Sequence, residues 1–314
     1  MVRFIGLRLL AVVPTLIIVT FLVYGLVLLI PGDPAITLAG PDATAADVEA
    51  LRESLGLNQP FIIQYLNWAS AALRGDLGYS LFSNLPVLDT IMRALPVTLS
   101  LALVAIVIAI ALSIPLAFLS ARNPGSFIDR IATVGSSVGI ALPNFWLALL
   151  LVLAFAIAIP ILPATGYVKF EESPAMWLSH LILPGLALGL AAAGESTRQL
   201  RGSLIEVLQQ DYVRTARAKG MTESITLGKH ALKNAAVPLV TVTGLQAIYL
   251  LGGAVIVEQV FGLPGLGQIV VTAVTTRDIP MIQGVVMVAV VIAIIVNLAV
   301  DITIAYLNPK VRTR

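Results

Sequence analysis

The sequence predicts an all-α, polytopic membrane protein with six transmembrane helices, a cytoplasmic loop built around a short helix, and a helical extracytoplasmic segment. Three observations carry this. Of 314 residues, 58% are hydrophobic and only 11% are charged, against roughly 25% in soluble domains. The apolar residues fall in six runs, each long enough to cross a bilayer. The cations lie mostly between those runs on one side. The pI near 9 does not point to nucleic acid, because the cations are few and flank apolar runs instead of forming one patch.

The first run, 9–30, follows Arg3 and Arg8. It is too long for the apolar core of a secretory signal and no small-x-small cleavage site follows, so it reads as a membrane span. The others are 96–119, 132–160, 181–200, 237–257 and 282–306. Pro143 interrupts the third and Pro184-Gly185 the fourth, which bundled helices tolerate where neighbours satisfy the freed backbone groups. With the N-terminus in the cytoplasm, both chain ends lie inside. Of the nineteen Lys and Arg residues, only Arg52, Arg74, Arg93, Lys169 and Arg277 then face outward. The opposite orientation would invert the positive-inside bias.

Between the first two spans, residues 31–95 form the outer segment. Pro31-Gly32-Asp33-Pro34 is a rigid turn that ends the first helix. Thr44 caps a short acidic amphipathic helix to Leu55, with Asp47, Glu49 and Glu53 on its polar side. Pro60 opens another through Tyr65, Trp68 and Leu73, broken at Gly75-Asp76-Leu77-Gly78. This segment is either a lid on the bundle or a dock for an external partner. The outer loop 259–280 contains Phe261-Gly262-Leu263-Pro264-Gly265-Leu266-Gly267, whose glycines and proline require a defined backbone, as the mouth of a pathway or as a re-entrant turn. Nothing marks a linker or repeat, so residues 1–314 read as one membrane domain.

The loop 201–235 is the long basic and polar interruption. Tyr212 to Lys219 reads as helix, Gly220 stops it, and Thr222 with Glu223 starts a second helix. That second helix carries Lys229, His230 and Lys233 toward its end, where the dipole favours positive charge. The small residues Ala216, Ala218 and Gly220 suit a turn that fits a partner's groove.

Most chemistries are excluded or disfavoured. With no cysteine and only His180 and His230, far apart, no metal site is expected. Gly135-Ser136-Ser137-Val138-Gly139 matches the hydrolase pattern Gly-x-Ser-x-Gly, but it falls in a helix entering the membrane instead of a strand-to-helix elbow. The same residues spell a Gly-x-x-x-Gly helix contact, as do Gly185 and Gly189. Gly228-Lys229 is no phosphate loop, because Glu223 stands where that motif requires glycine. No catalytic residue and no cofactor are therefore assigned to this chain. Glu195, Glu258 and Asp301 read as satisfied carboxylates near span ends in preference to a proton relay. Asn144, Gln246, Tyr249 and Asn297 either line a polar translocation pathway or bond helix to helix.

At Asp211-Tyr212-Val213-Arg214-Thr215-Ala216-Arg217-Ala218-Lys219-Gly220 the chain resembles the permease subunit of a bacterial ATP-binding cassette importer of the peptide and nickel class. Ala216 and Gly220 match the general coupling-loop pattern of such permeases, while Arg214 and Thr215 stand where it has Glu and Ala. Further matches follow in order: Ile30 to Pro34, Leu55-Gly56-Leu57 with Pro60 and Gln64-Tyr65, Gly75 to Gly78, Pro143-Asn144-Phe145-Trp146, Phe261 to Gly267 with Arg277-Asp278, and Val296-Asn297 to Asp301 with Pro309. The resemblance covers nearly the whole chain. It implies a multi-pass protein of the bacterial cytoplasmic membrane, bathed in lipid, that works beside a second permease. Two cytoplasmic ATPases would bind ATP and Mg2+, and an extracytoplasmic binding protein would deliver a di- or oligopeptide. The residues expected to meet the ATPase are Arg214, Thr215, Ala216, Arg217, Ala218, Lys219, Gly220 and Met221. Nickel, glutathione or another small solute is the alternative cargo, and a proton-coupled transporter acting alone is the alternative of another class.

Overall fold

The computed structural model describes residues 2–28, 34–40, 42–54, 56–222, 225 and 232–307. Among them the chain is helical, with one isolated antiparallel bridge between Tyr79 and Pro86. In order the helices are α1 (Val2–Leu28), α2 (Pro34–Ala39), α3 (Ala45–Ser54), α4 (Phe61–Leu73), α5 (Val87–Arg122), α6 (Phe127–Ala141), α7 (Asn144–Val152), α8 (Pro174–Leu208), α9 (Asp211–Ala218), α10 (Leu232–Phe261), α11 (Leu266–Thr276) and α12 (Ile279–Leu307). The second, fourth, fifth and sixth predicted spans lie inside α5, α8, α10 and α12, each long and apolar enough to cross a membrane. The first lies on α1 as far as Leu28, and its fully described apolar stretch is Val12–Gly25. The turn at 31–33, the second helix of the basic loop at 223–224 and 226–231, and the basic tail from 308 lie outside the described residues.

The third predicted span is bent at the proline that interrupts it. Residues 132–160 do not form one rod: α6 and α7 meet at 101°. Pro143 has no N–H to continue the α6 ladder, and Leu142 before it is extended, with φ −78° and ψ 127°. Beyond α7 the chain loosens into a π-helical turn, Leu153–Ala158. Pro184, by contrast, sits inside an unbroken α8. The outer loop 259–280, whose defined backbone the glycines and proline require, contains α11, which ends on Arg277 in the left-handed region at φ 56°. Likewise residues 201–208 of the basic loop are the last turns of α8.

The chain forms two compact units. One comprises Met1–Ile5, Val97–Pro264 and Ala293–Arg314; the other comprises Gly6–Pro96 and Gly265–Ile292. The division falls within α5 and within α12.

In the second unit, Val87, Ile91, Leu266, Ala273, Met281 and Val285 form the core. Gly284 brings α12 onto α5 closely enough that a Cβ there would lie 2.5 Å from Val87. Asp278 caps α12 and also accepts bonds from the Ser80 hydroxyl and the Leu81 N–H. α4 is seated on α1 by edge-to-face contacts of Phe21 with Phe61 and Tyr65, and by a bond between Thr20 and Tyr65 at 3.0 Å. The predicted cap of α3 is present as a reciprocal box: Thr44 Oγ1 accepts from the Asp47 N–H, while the Asp47 carboxylate accepts from Thr44 N and Oγ1. These bonds from Thr44 hold the Asp47 carboxyl below the usual range.

In the first unit, Leu101, Ala105, Leu181, Leu188, Ala254, Val257 and Phe261 make the core between α5, α8 and α10. Gly185 and Gly189 face α5, where a Cβ at 189 would lie 2.8 Å from the Ala105 carbonyl. A Cβ at Gly194 would lie 2.6 Å from the Ser136 carbonyl of α6. A second cluster, Ala117, Ala121, Leu200, Leu204, Ala235 and Leu239, joins the ends of α5 and α8 to the start of α10.

Candidate functional site

α9 begins two residues after α8 ends. The Gln210 carbonyl accepts from Val213 N at 3.0 Å and Arg214 N at 3.2 Å, so the chain re-enters a helix at once. Asp211 in its first turn suits the positive end of the helix dipole, and Arg214 stands 3.6 Å from that carboxylate. The Thr215 hydroxyl donates to the Asp211 carbonyl at 2.9 Å. The far end stops as the sequence predicts. Gly220 adopts φ +77° in open space, and Met221 N reaches back to the Ala216 carbonyl at 3.3 Å.

The helix is sided. Val213 and Ala216, three residues apart, are buried, and α9 lies against α8. Arg214, Thr215, Ala218, Lys219, Gly220 and Met221 are exposed. Of the eight residues expected to meet a partner, Ala216 is therefore an anchor of the turn and not part of its outer surface. Arg217 lies within the helix, and its side chain is outside the described residues. A short polar face with small residues and a left-handed glycine end, carried on a buried apolar face, is a shape another protein can grip without unfolding it.

α8 is itself fixed two turns before its end. Asp129, in the first turn of α6, accepts two parallel bonds from Arg201 of α8, Nε to Oδ1 at 2.6 Å and Nη2 to Oδ2 at 2.9 Å. The Ser120 hydroxyl of α5 donates to Oδ1, and Gly125 N donates to Oδ2 at 2.7 Å. Arg201 Nε also donates to Ser120 Oγ at 2.9 Å. Sequence reasoning missed this group, since Arg201 counted only as one more inner cation. The Asp129 N–H bonded to Ser126 as an N-cap is a local signal, but nothing local names a partner 72 residues away.

The four pathway candidates lie in the same unit. Gln246 and Tyr249 share a face of α10 with Gly253 by their spacing of three and four. Asn144 opens α7, and its Nδ2 lies 3.4 Å from where a Cβ on Gly253 would stand, so three of the four line one strip. Tyr249 is 73% exposed. Asn297 is exposed on α12.

The other candidates resolve into supports. Glu258, fully buried, accepts from Thr98 at 2.6 Å and so ties α10 to α5. Glu195 pairs with Arg198 at 2.5 Å. Asp301 is half-buried and has interactions of its own. Ser136 and Ser137 sit mid-α6, and the Ser137 hydroxyl donates to the Thr133 carbonyl at 2.9 Å, while His180 Nδ1 is 2.8 Å from the Met176 carbonyl. Neither arrangement is that of an activated nucleophile.

Comparison with known proteins identifies the family. Residues 113–313 match the family described as binding-protein-dependent transport system inner membrane component, and residues 1–102 match the N-terminal family of the same membrane components. A probable peptide ABC transporter permease of Sinorhizobium fredii is 39% identical over 97% of both chains. A putative peptide transport system permease of Brucella abortus is 40% identical over 96% of both. The glutathione transport system permease GsiC of Escherichia coli K12 is 39% identical over 99% of both. Among solved structures, the inward-facing methionine transporter MetNI superposes with a TM-score of 0.56 at 19% identity, covering 70% of this chain and 96% of that one, which shows a shared fold.

Proposed function

The chain belongs to the family of binding-protein-dependent transport system inner membrane components, and from that premise we propose that it forms half of the translocation pathway of an ATP-driven peptide importer. The observation that carries the coupling assignment is the sidedness of α9: Val213 and Ala216 are buried while Arg214, Thr215 and Ala218 are exposed, with two residues between this helix and the end of α8. In this reading Arg214, Thr215, Ala218, Lys219, Gly220 and Met221 seat in a groove of a cytoplasmic ATPase, with Ala216 beneath them. ATP and Mg2+ are bound by that subunit and its twin. A second permease completes the pathway, and an extracytoplasmic binding protein supplies the cargo.

The physical requirement is a differential contact. ATP-driven closure shifts the bundle between inward-open and outward-open states only if α9 is bound differently in the two. A short helix with its own buried face keeps its shape under load, which a disordered basic loop does not. Asn144, Gln246 and Tyr249 are assigned to the pathway wall, together with Asn297. Both chain ends are assigned to the cytoplasm, on the positive-inside bias.

Peptides are the preferred cargo because relatives that match nearly end to end carry peptide-transport names. Glutathione is a specific second reading, favoured by the similarity to GsiC. The assembled transporter in proteoliposomes tests both readings. Uptake of a tritiated tripeptide or of glutathione should require internal ATP and disappear on Gly220→Asp. Transport by the purified single chain in a proton gradient, without ATP, would refute the importer reading.

A further inference from the structure

Resting on that reading of α9, we propose that the Asp129–Arg201–Ser120 clamp is the joint through which displacement of α9 moves α5, α6 and α8 as one body. The clamp couples movement and takes no part in binding cargo or nucleotide.

The argument begins with what apolar packing cannot do. The cluster of Ala117, Ala121, Leu200, Leu204, Ala235 and Leu239 holds the helix ends together, but hydrophobic contact is non-directional. Packed helices separate with difficulty and slide by an ångström or two with ease, as shear motions show. The glycine contacts of Gly189 with Ala105 and of Gly194 with Ser136 fix how closely α8 approaches α5 and α6 higher up. Neither feature fixes axial register at the end of α8 where a push from α9 enters.

The clamp does. A guanidinium and a carboxylate joined by two parallel bonds have one relative orientation, and a slide of about an ångström breaks both. Asp129 is buried and its oxygens collect donors from three places at once: Arg201 on α8, Ser120 on α5 and Gly125 in the turn that joins α5 to α6. Arg201 lies ten residues before Asp211, the first residue of α9, and its side chain keeps 29% exposure. A lysine would retain the charge and lose the fork. The device therefore sits on the last two turns of the helix that receives the load, spans the three helices that have to move together, and is directional where the surrounding packing is not.

The test uses the absence of cysteine in the chain. Single cysteines at Thr241, Leu245, Tyr249 and Ile256, exposed along α10, are labelled with a maleimide in the complete transporter, with and without ATP and vanadate. The site whose labelling rate responds most is then read in clamp variants. In Arg201→Lys and Asp129→Asn the nucleotide response should shrink by about tenfold, within the usual range of coupling between sites. Both ATPases should still co-purify, and basal ATP hydrolysis should remain within about twofold of the parent. Ser120→Ala should give an intermediate loss.

A cysteine pair in place of Asp129 and Arg201, bridged by a short bis-methanethiosulfonate linker (each thiolate forms a disulfide and releases methanesulfinate), should regain the response, read as ATP-driven uptake without the reporter cysteine, and lose it again on reduction. An undiminished response in Arg201→Lys would overturn the proposal. So would a bridge that restores complex yield without restoring the response, because the clamp would then serve folding alone. Failure of the underlying coupling reading has a different signature: no site on α10 responds in the parent, or Gly220→Asp leaves ATPase binding and the response intact.

Discussion

Gly194 shows how a single position decides whether two helices can touch. A Cβ there would stand 2.6 Å from the Ser136 carbonyl, a backbone atom that cannot swing aside. Gly194→Ala should therefore destabilise the detergent-solubilised protein by about 1–3 kcal/mol, the usual cost of overpacking, read as an earlier thermal unfolding midpoint. Gly135 has nothing within 4 Å, so Gly135→Ala should hold or raise that midpoint, since alanine is the better helix former by ~0.5–1 kcal/mol. The sequence pattern pointed at Gly135 with Gly139. Only Gly139 meets a neighbour, since a Cβ there would lie 3.1 Å from the Leu190 carbonyl, and Gly194 falls outside the pattern. Spacing identifies small residues on one face without saying which of them will face a helix. Gly220 is the contrasting case, special for its φ of +77° and not for lack of space. Gly220→Asn, which tolerates the left-handed region, should keep ATP-dependent uptake, whereas the β-branched Gly220→Val should abolish most of it in the proteoliposome assay.

Elements with local stop and start signals were legible; those that depend on distant packing were not. Thr44 and Asp47 close a box visible in the sequence. Thr44→Ala should speed hydrogen exchange of the α3 amides by roughly fivefold, about 1 kcal/mol of cap. Asp47 has its carboxyl pKa lowered by Thr44. Its contribution is thus complete above the ordinary carboxylate pKa and is lost as pH falls through the lowered one. Exchange in α3 should accelerate only under acid conditions below the ordinary carboxylate range, and Asp47→Asn should remove that pH step. α11 escaped sequence reasoning because its residues are rich in Val and Thr and follow a glycine-rich stretch. It is helical because Leu266 and Ala273 are buried in the core of its unit, a gain that overrides weak local propensity. The break between α6 and α7 was visible as Pro143, but its 101° angle was not, since proline removes a bond without specifying where the next helix will find neighbours.

For the whole chain, the orientation proposed from the positive-inside bias is open to direct measurement. With no native cysteine, each introduced one reports alone. Cysteines replacing Lys219 or Arg214 should react only from the cytoplasmic side of sealed membranes, and those replacing Arg74 or Arg277 only from outside. A reversed pattern would overturn the assignment of both ends to the cytoplasm. Fold class and the second, fourth, fifth and sixth apolar spans could be read from composition and periodicity, because burial in lipid acts on stretches of chain irrespective of their partners. The sidedness of α9, the strip of Asn144 with Gln246 and Tyr249, the Thr98–Glu258 tie and the Asp129–Arg201–Ser120 clamp could not. Each depends on which helices become neighbours, and a hydrogen bond acts over about 3 Å while the chain separates its partners by many residues. Apolar segments select a membrane without selecting one another; the few directional bonds between them are made only once the bundle has closed.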